Sequence, residues 1–133
     1  AAAMADYQVQ LAVLEKYDAL DNDEVPLARL TALKMIYPSV TKANNTPEGA
    51  IFEKNFRKKN NIMPNQFATR GFDVTFDVIL RIFQEEGFAA GMANKASEQV
   101  ENKFVYETVN GGNVNNGVYI LQYNDDLSLT IAQ

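Results

Sequence analysis

The sequence contains neither cysteine nor histidine among its 133 residues. Without these side chains the chain cannot form a Cys/His zinc site, an iron–sulfur cluster, a disulfide, or a Cys-His or Ser-His catalytic pair. It also has no run of 18 apolar residues, so the sequence predicts no membrane-spanning segment. Because cysteine and histidine are absent, we expect no metal and no cofactor.

Positive charge is scarce as well, and the formal net charge is -5 at pH 7. The densest basic run, Arg57 to Lys59, comes at the end of a predicted helix, where cations complement the helix dipole. Because phosphate backbones are recognised by clustered Lys and Arg, we expect no nucleic-acid partner. Four acids fall between Asp18 and Glu24, but they lack the ligand spacing and glycine of a calcium loop, so this segment predicts a polar break.

The composition, 47% hydrophobic and 22% charged, is that of a globular chain, and its length favours a single domain over 1–133. Two helices are predicted near the middle. The first has Thr46 as its N-cap and ends at the Asn60-Asn61 pair, and the second extends from the Asn65 cap to Glu86, with Gly87 as the stop.

The second helix carries an apolar stripe at helical spacing. We expect β structure to cover this stripe, because it is too apolar to remain in water, and we expect the two helices to pack through aromatic faces that include Phe52 and Phe56. A close approach of a neighbouring element would explain Gly71, which costs about 1 kcal/mol relative to alanine inside a helix. The stripe comprises Phe67, Ala68, Gly71, Phe72, Thr75, Phe76, Ile79, Ile82 and Phe83.

The remaining chain alternates with period two in short segments, which predicts strands. A short helix is expected after Pro26, with Leu27 and Leu30 as apolar contacts, and another near 93–100. The predicted class is α/β: a small mixed sheet covered by two main helices, with a C-terminal β hairpin. The strands are predicted at Tyr7–Val13, at Leu33–Tyr37 with Pro38 as the stop, at Lys103–Asn110, at Gly117–Tyr123 after an Asn116-Gly117 turn, and at Leu127–Ile131 after a turn at Asn124–Asp126.

Asp73 and Asp77 lie four residues apart on the long helix. Such a pair suits a general acid and base, or a metal site. The alternative that we favour is a solvent-facing polar flank, since Arg70 and Arg81 stand within four residues of an acid. An enzyme is therefore the least favoured class of function.

Tyr37 and Ser39 flank a proline where a predicted strand leaves the sheet. Because ligands gather at the carboxyl ends of strands in open α/β sheets, these two residues are candidate ligand-binding residues. The alternative is a plain strand terminus.

The order of several motifs resembles the late segment of type 1 periplasmic binding proteins, particularly envelope proteins of Bacteroidetes-type bacteria, some of which are joined to a peptidoglycan-binding LysM module. The similarity covers about Tyr7 to Ile131. The motifs are Leu30–Ser39 ending in Tyr-Pro-Ser, Phe52–Asn60, Pro64–Ala68, Arg70–Val74, Phe104–Tyr106, Gly111-Gly112 and Asn116–Leu121.

This resemblance implies a non-catalytic, two-lobed binder of a small solute such as an amino acid, located in the periplasm or cell envelope, with a transporter or peptidoglycan partner. The family's fold is more than twice as long, so the resemblance implies that the chain is a C-terminal fragment of it, and we expect such a fragment to form homo-oligomers. The competing hypothesis is a structural or protein-interaction domain that self-associates through its aromatic surface.

Overall fold

A computed structural model describes residues 7–16, 20, 26–84, 87–94 and 96–132. Most of the predicted polar break, 18–19 and 21–24, lies outside the described residues. The α/β class is confirmed. The helices are α1 Leu27–Ala32, α2 Pro47–Asn60, α3 Gln66–Ile82 and α4 Gly87–Asn94. The strands are β1 Ile36–Ser39, β2 Ser97–Glu98, β3 Lys103–Phe104, β4 Tyr106–Val109, β5 Gly112–Asn115, β6 Tyr119–Tyr123 and β7 Leu129–Ile131.

The chain divides into two compact units, 1–42 with 119–133 and 43–118. The first unit contains an antiparallel sheet of order β1-β6-β7. Alternate residues of β6 are buried, as period-two patterning requires, and the β6–β7 pair confirms the predicted C-terminal hairpin. The core of this unit comprises Leu30, Met35, Tyr37, Tyr119, Leu121 and Tyr123.

Pro38 lies inside β1, opposite Ile120, so the prediction that it ends the strand was wrong. The Tyr123 N–H donates to the Met35 carbonyl, while the Ile36 N–H points the other way and donates to Leu11. By the same alternation the nitrogen of Pro38 points away from β6. The proline therefore removes no hydrogen bond from the ladder.

The predicted strand at Tyr7–Val13 is reduced to one isolated parallel bridge between Ala12 and Ile36. The sheet itself is antiparallel, so the prediction of a mixed sheet was wrong. Leu11 and Val13 are half-buried against the core, whereas Tyr7 is exposed. The alternation predicted from sequence therefore holds only where the segment runs beside β1.

The second unit begins with helices whose starts match the sequence prediction. The Gly49 N–H donates to Thr46 Oγ1 at 3.1 Å, and the Ala68 N–H donates to Asn65 Oδ1 at 2.9 Å. Asn61 adopts φ 58° and closes α2, as predicted. These three polar residues therefore bound the two helices by local hydrogen bonding and backbone geometry.

The segment after α3 differs from its prediction. The helix ends at Ile82, and Gly87 begins α4, although its φ of 77° is a helix-stopping conformation. Residues 85 and 86, where the predicted end falls, lie outside the described part of the chain. The short helix expected near 93–100 is replaced by the end of α4 and by β2.

Turn chemistry explains the β4–β5 hairpin, whose second strand, β5, was not predicted. Asn110 and Gly111 have φ of 52° and 80°, the pair of positive angles that a tight hairpin turn requires. Gly117 does not adopt the positive φ predicted for it. It is needed instead for a close approach, because a Cβ there would lie 2.1 Å from the Lys103 carbonyl oxygen.

Candidate interaction surface on α3

Helix α3 buries its polar side. Four side chains at a spacing of four residues form the buried face, and the Asp73 side chain has no exposed area. This is the reverse of the orientation predicted from the apolar stripe. The buried residues are Thr69, Asp73, Asp77 and Arg81.

The opposite side of α3 is a continuous exposed apolar surface, so the prediction that this stripe is covered by β structure was wrong. Phe67 and Phe83, near the two ends of the helix, are 73% and 83% exposed. We call this surface the α3 apolar face. It comprises the exposed residues Phe67, Phe72, Phe76, Ile79, Ile82 and Phe83, with Ala68, Gly71 and Thr75 between them.

Helix α2 covers one margin of the α3 apolar face. The rings of Phe52 and Phe72 lie 4.6 Å apart between centroids, and Phe52 is buried. Phe56 contacts Phe52 at 5.8 Å, and Phe76 stacks on Phe72 at 5.5 Å. The predicted aromatic packing between the two helices is therefore confirmed, yet it leaves Phe72 and Phe76 partly exposed.

Asp73 holds a turn that lies far along the chain. Its carboxylate accepts the backbone N–H groups of Val100, Glu101 and Asn102 at 3.0, 2.9 and 2.9 Å. A buried carboxylate is tolerated when such donors compensate for its lost hydration. The expectation that Asp73 faces solvent was wrong, and its geometry is that of a structural anchor.

Asp77 forms the predicted pair with Arg81, but inside the protein and not at its surface. Arg81 Nε lies 2.7 Å from Asp77 Oδ2, and Ser97 Oγ also donates to this carboxylate. The guanidinium donates to the Gly91 carbonyl and lies 4.9 Å from the centroid of the Tyr106 ring. Burial first, and then the Asp77 charge, raises the pKa of Tyr106.

The two aspartates together explain why α3 turns its polar side inward. Asp73 attaches α3 to the 100–102 turn, and the Asp77–Arg81 pair attaches it to α4 and β2. All of these hydrogen bonds are made from one face of the helix, so they leave the opposite face of α3 accessible. Their spacing of four residues, which places both on one face of the helix, was visible in the sequence, but the burial of that face was not.

Small residues lie in the middle of the α3 apolar face. A Cβ built on Gly71 meets no atom within 4 Å, so the close approach predicted to explain this glycine is absent from its surroundings. Ala68 and Thr75 lie on the same side of the helix, one turn away in each direction. The side chains at the centre of the α3 apolar face therefore project less far from the helix than the phenylalanines at its two ends.

The candidate ligand-binding residues Tyr37 and Ser39 share one face of β1. Tyr37 is part of the core, its ring centroid 6.1 Å from that of Tyr123, and burial, followed by the Tyr123 charge, raises its pKa. The Ser39 hydroxyl donates to the Thr41 carbonyl at 2.7 Å. Their role in ligand binding stays a prediction.

Within the described ranges, no helix is both long enough and apolar enough to cross a bilayer. In that same part of the chain, no three or more acidic, His or Cys side chains are grouped so that they could hold a metal ion.

No protein-family model, curated protein or solved structure matches this chain. The family similarity described from the sequence motifs therefore stays a prediction.

Proposed function

We propose that this chain is a non-catalytic interaction domain that docks another protein surface through the α3 apolar face. The observation that supports it is the inverted helix: charged side chains are buried with hydrogen-bond partners, while large aromatic and aliphatic side chains are exposed. Contiguous exposed apolar patches of several hundred Å² are rare on soluble monomers and mark interaction sites.

The buried polar network strengthens this proposal. Asp73 accepts three backbone N–H groups, and Asp77 accepts from Arg81 and Ser97, so both carboxylates are engaged in bonds that fix α3 on one side. A helix fixed on one side can present the other side without needing to reorder when a partner arrives. Pre-organisation of that kind lowers the entropic cost of association.

A small-solute binder of the periplasm or cell envelope, with a transporter or peptidoglycan partner, is the second candidate function. Its support is the motif order together with the position of Tyr37 and Ser39 on one face of β1. Unlike the first proposal, it requires that a small ligand raise the unfolding temperature of the protein. A substitution at Ser39 tests this requirement.

The test of the interaction proposal uses charged substitutions that suit the helix dipole. Phe67→Asp near the start of α3 and Ile82→Lys at its end each place a favourable charge in an exposed position. We expect each single variant to keep the free energy of unfolding within about 0.5 kcal/mol, as measured by urea denaturation. At concentrations low enough for the chain to be monomeric, we also expect each variant to bind less of a hydrophobic dye than the wild-type protein.

Phe52→Asp is the matched control, because Phe52 is buried between α2 and α3. It is expected to destabilise the unit by several kcal/mol, since it buries an unpaired charge. If Phe67→Asp and Ile82→Lys unfold the protein as Phe52→Asp does, the face is core and the proposal fails.

A further inference from the structure

We infer that the α3 apolar face binds the same face of a second copy, so that two α3 helices cross antiparallel about a twofold axis near Thr75. This inference rests on the proposed function and names its partner. A twofold interface brings one patch against itself, so the patch must be self-complementary in area, shape and charge.

The area of the face is sufficient for a stable dimer. With phenylalanine and isoleucine side chains of roughly 200 Å² each, the exposed fractions of its six large residues add to on the order of 650 Å² per copy. Two copies would then bury at most about 1,300 Å², which reaches the lower part of the range of specific protein interfaces.

The shape of the face is self-complementary about Thr75. An antiparallel pair centred on that residue brings Gly71 to the level of Ile79 of the second copy, and Ala68 to the level of Ile82 of the second copy. Each small residue thus meets a large one, as ridges of one helix meet grooves of another. Gly71, which has open space around its Cα in the single chain, acquires a close neighbour in the pair.

The charge on the face is also compatible with a second copy. No Asp, Glu, Lys or Arg belongs to the α3 apolar face, so the face does not repel itself. The net charge of -5 on each copy adds a long-range repulsion, which salt screens. The same negative charge disfavours an anionic membrane as the occupant.

Gly71→Arg tests the contact at its narrowest point. Among the described residues a Cβ at position 71 has open space, and Arg replaces a helix-weakening glycine, so the variant should fold. By sedimentation equilibrium we expect the wild-type chain to reach twice its mass of 14.8 kDa with rising concentration and with added salt. We expect Gly71→Arg to weaken dimerisation at least about tenfold, as a bulky charge at the centre of an interface does.

Ala50→Arg is the control for Gly71→Arg, because it adds the same charge at an exposed position of α2 on the side away from Phe52. It should dimerise like the wild type. Equal dimerisation by Gly71→Arg and Ala50→Arg would overturn the inference.

The absence of cysteine allows a clean test of the twofold register. Thr75→Cys places a single thiol at the proposed axis, within reach of its copy, and it should form a covalent dimer on mild oxidation. Ala50→Cys should associate like the wild type but form no covalent dimer under the same conditions. Equal crosslinking of the two variants would overturn the proposed register.

A wild-type chain that is monomeric at all concentrations would overturn self-association. The proposal that the face is a docking surface would still be decided by Phe67→Asp and Ile82→Lys. Co-sedimentation of that monomer with neutral phosphatidylcholine vesicles would assign the face to a lipid surface and would also overturn the inference.

Discussion

Asp77 and Arg81 form a buried ion pair, with 2.7 Å between Oδ2 and Nε, on the side of α3 that points away from Ile79. The pair is not an isolated contact, since Ser97 and the Gly91 carbonyl complete its hydrogen bonds. It holds α3 to the two elements that follow it, and thereby orients the apolar face outward.

Asp77→Asn is expected to destabilise the second unit by about 3 kcal/mol, because it leaves the Arg81 charge buried without its counter-ion. Urea denaturation followed by circular dichroism measures this change. Arg70→Gln is the control, since Arg70 is exposed on the same helix, and it should change stability by less than about 0.5 kcal/mol. Equal stability of Asp77→Asn and Arg70→Gln would show that the pair does not hold α3 in place.

Two glycines are predicted to respond to alanine in opposite directions. Gly71→Ala should raise the free energy of unfolding by about 1 kcal/mol, because the helix gains propensity and the new Cβ meets no atom within 4 Å. Gly117→Ala should lower it by about 2 kcal/mol or more, since its Cβ would collide with the Lys103 carbonyl. Thermal and urea unfolding at low micromolar concentration measure both, and two changes of the same sign would contradict the local geometry described here.

Glu101 gives the stability a specific pH dependence. Burial, followed by the Asp73 and Glu53 charges, raises its pKa above the ordinary value of 4.5. The folded state therefore holds this proton more tightly than the unfolded state, so the stabilisation is present below pH 4.5 and is lost as pH rises through the raised pKa.

Glu101→Gln should accordingly be more stable than wild type at pH 7, by less than about 1 kcal/mol because the site is partly solvated, and equal to wild type below pH 4.5. Urea denaturation from pH 3.5 to 8 measures the difference. Glu15→Gln, the same substitution at an exposed position, serves as the control. If the stability difference between Glu101→Gln and the wild type grew as the pH fell, a raised pKa of Glu101 would be contradicted.

Solute binding is tested through Ser39. If the chain binds an amino-acid-like ligand, millimolar additions should raise the unfolding temperature by mass action, and Ser39→Ala should abolish the rise. Ser128→Ala is matched to it, since Ser128 also makes a local hydrogen bond in a turn, and it should retain the ligand-dependent rise. No shift with any amino acid, or equal shifts in both variants, would exclude Ser39 as a ligand-binding residue.

Short-range chemistry accounts for what could be predicted from the sequence. Thr46 and Asn65 cap their helices, and Asn61 closes α2, because each acts on backbone within four residues of itself. The turn after Asn124 was predicted from its run of Asn and Asp residues, and the Leu127 N–H donates to the Asn124 carbonyl there. The α/β class and the aromatic contact between α2 and α3 rest on the same local signals.

The sequence by itself therefore determined α1, α2 and the start of α3, the caps at Thr46 and Asn65, the C-terminal hairpin and the amphipathic pattern of α3. Only the tertiary structure decided which side of α3 is buried. The apolar stripe favoured one side, but Asp73 finds its three amide donors at 100–102, and Arg81 finds the Gly91 carbonyl, through contacts that no periodicity reveals. Because a buried charge is retained only with such distant partners, their positions in space, and not the pattern of α3, oriented the helix.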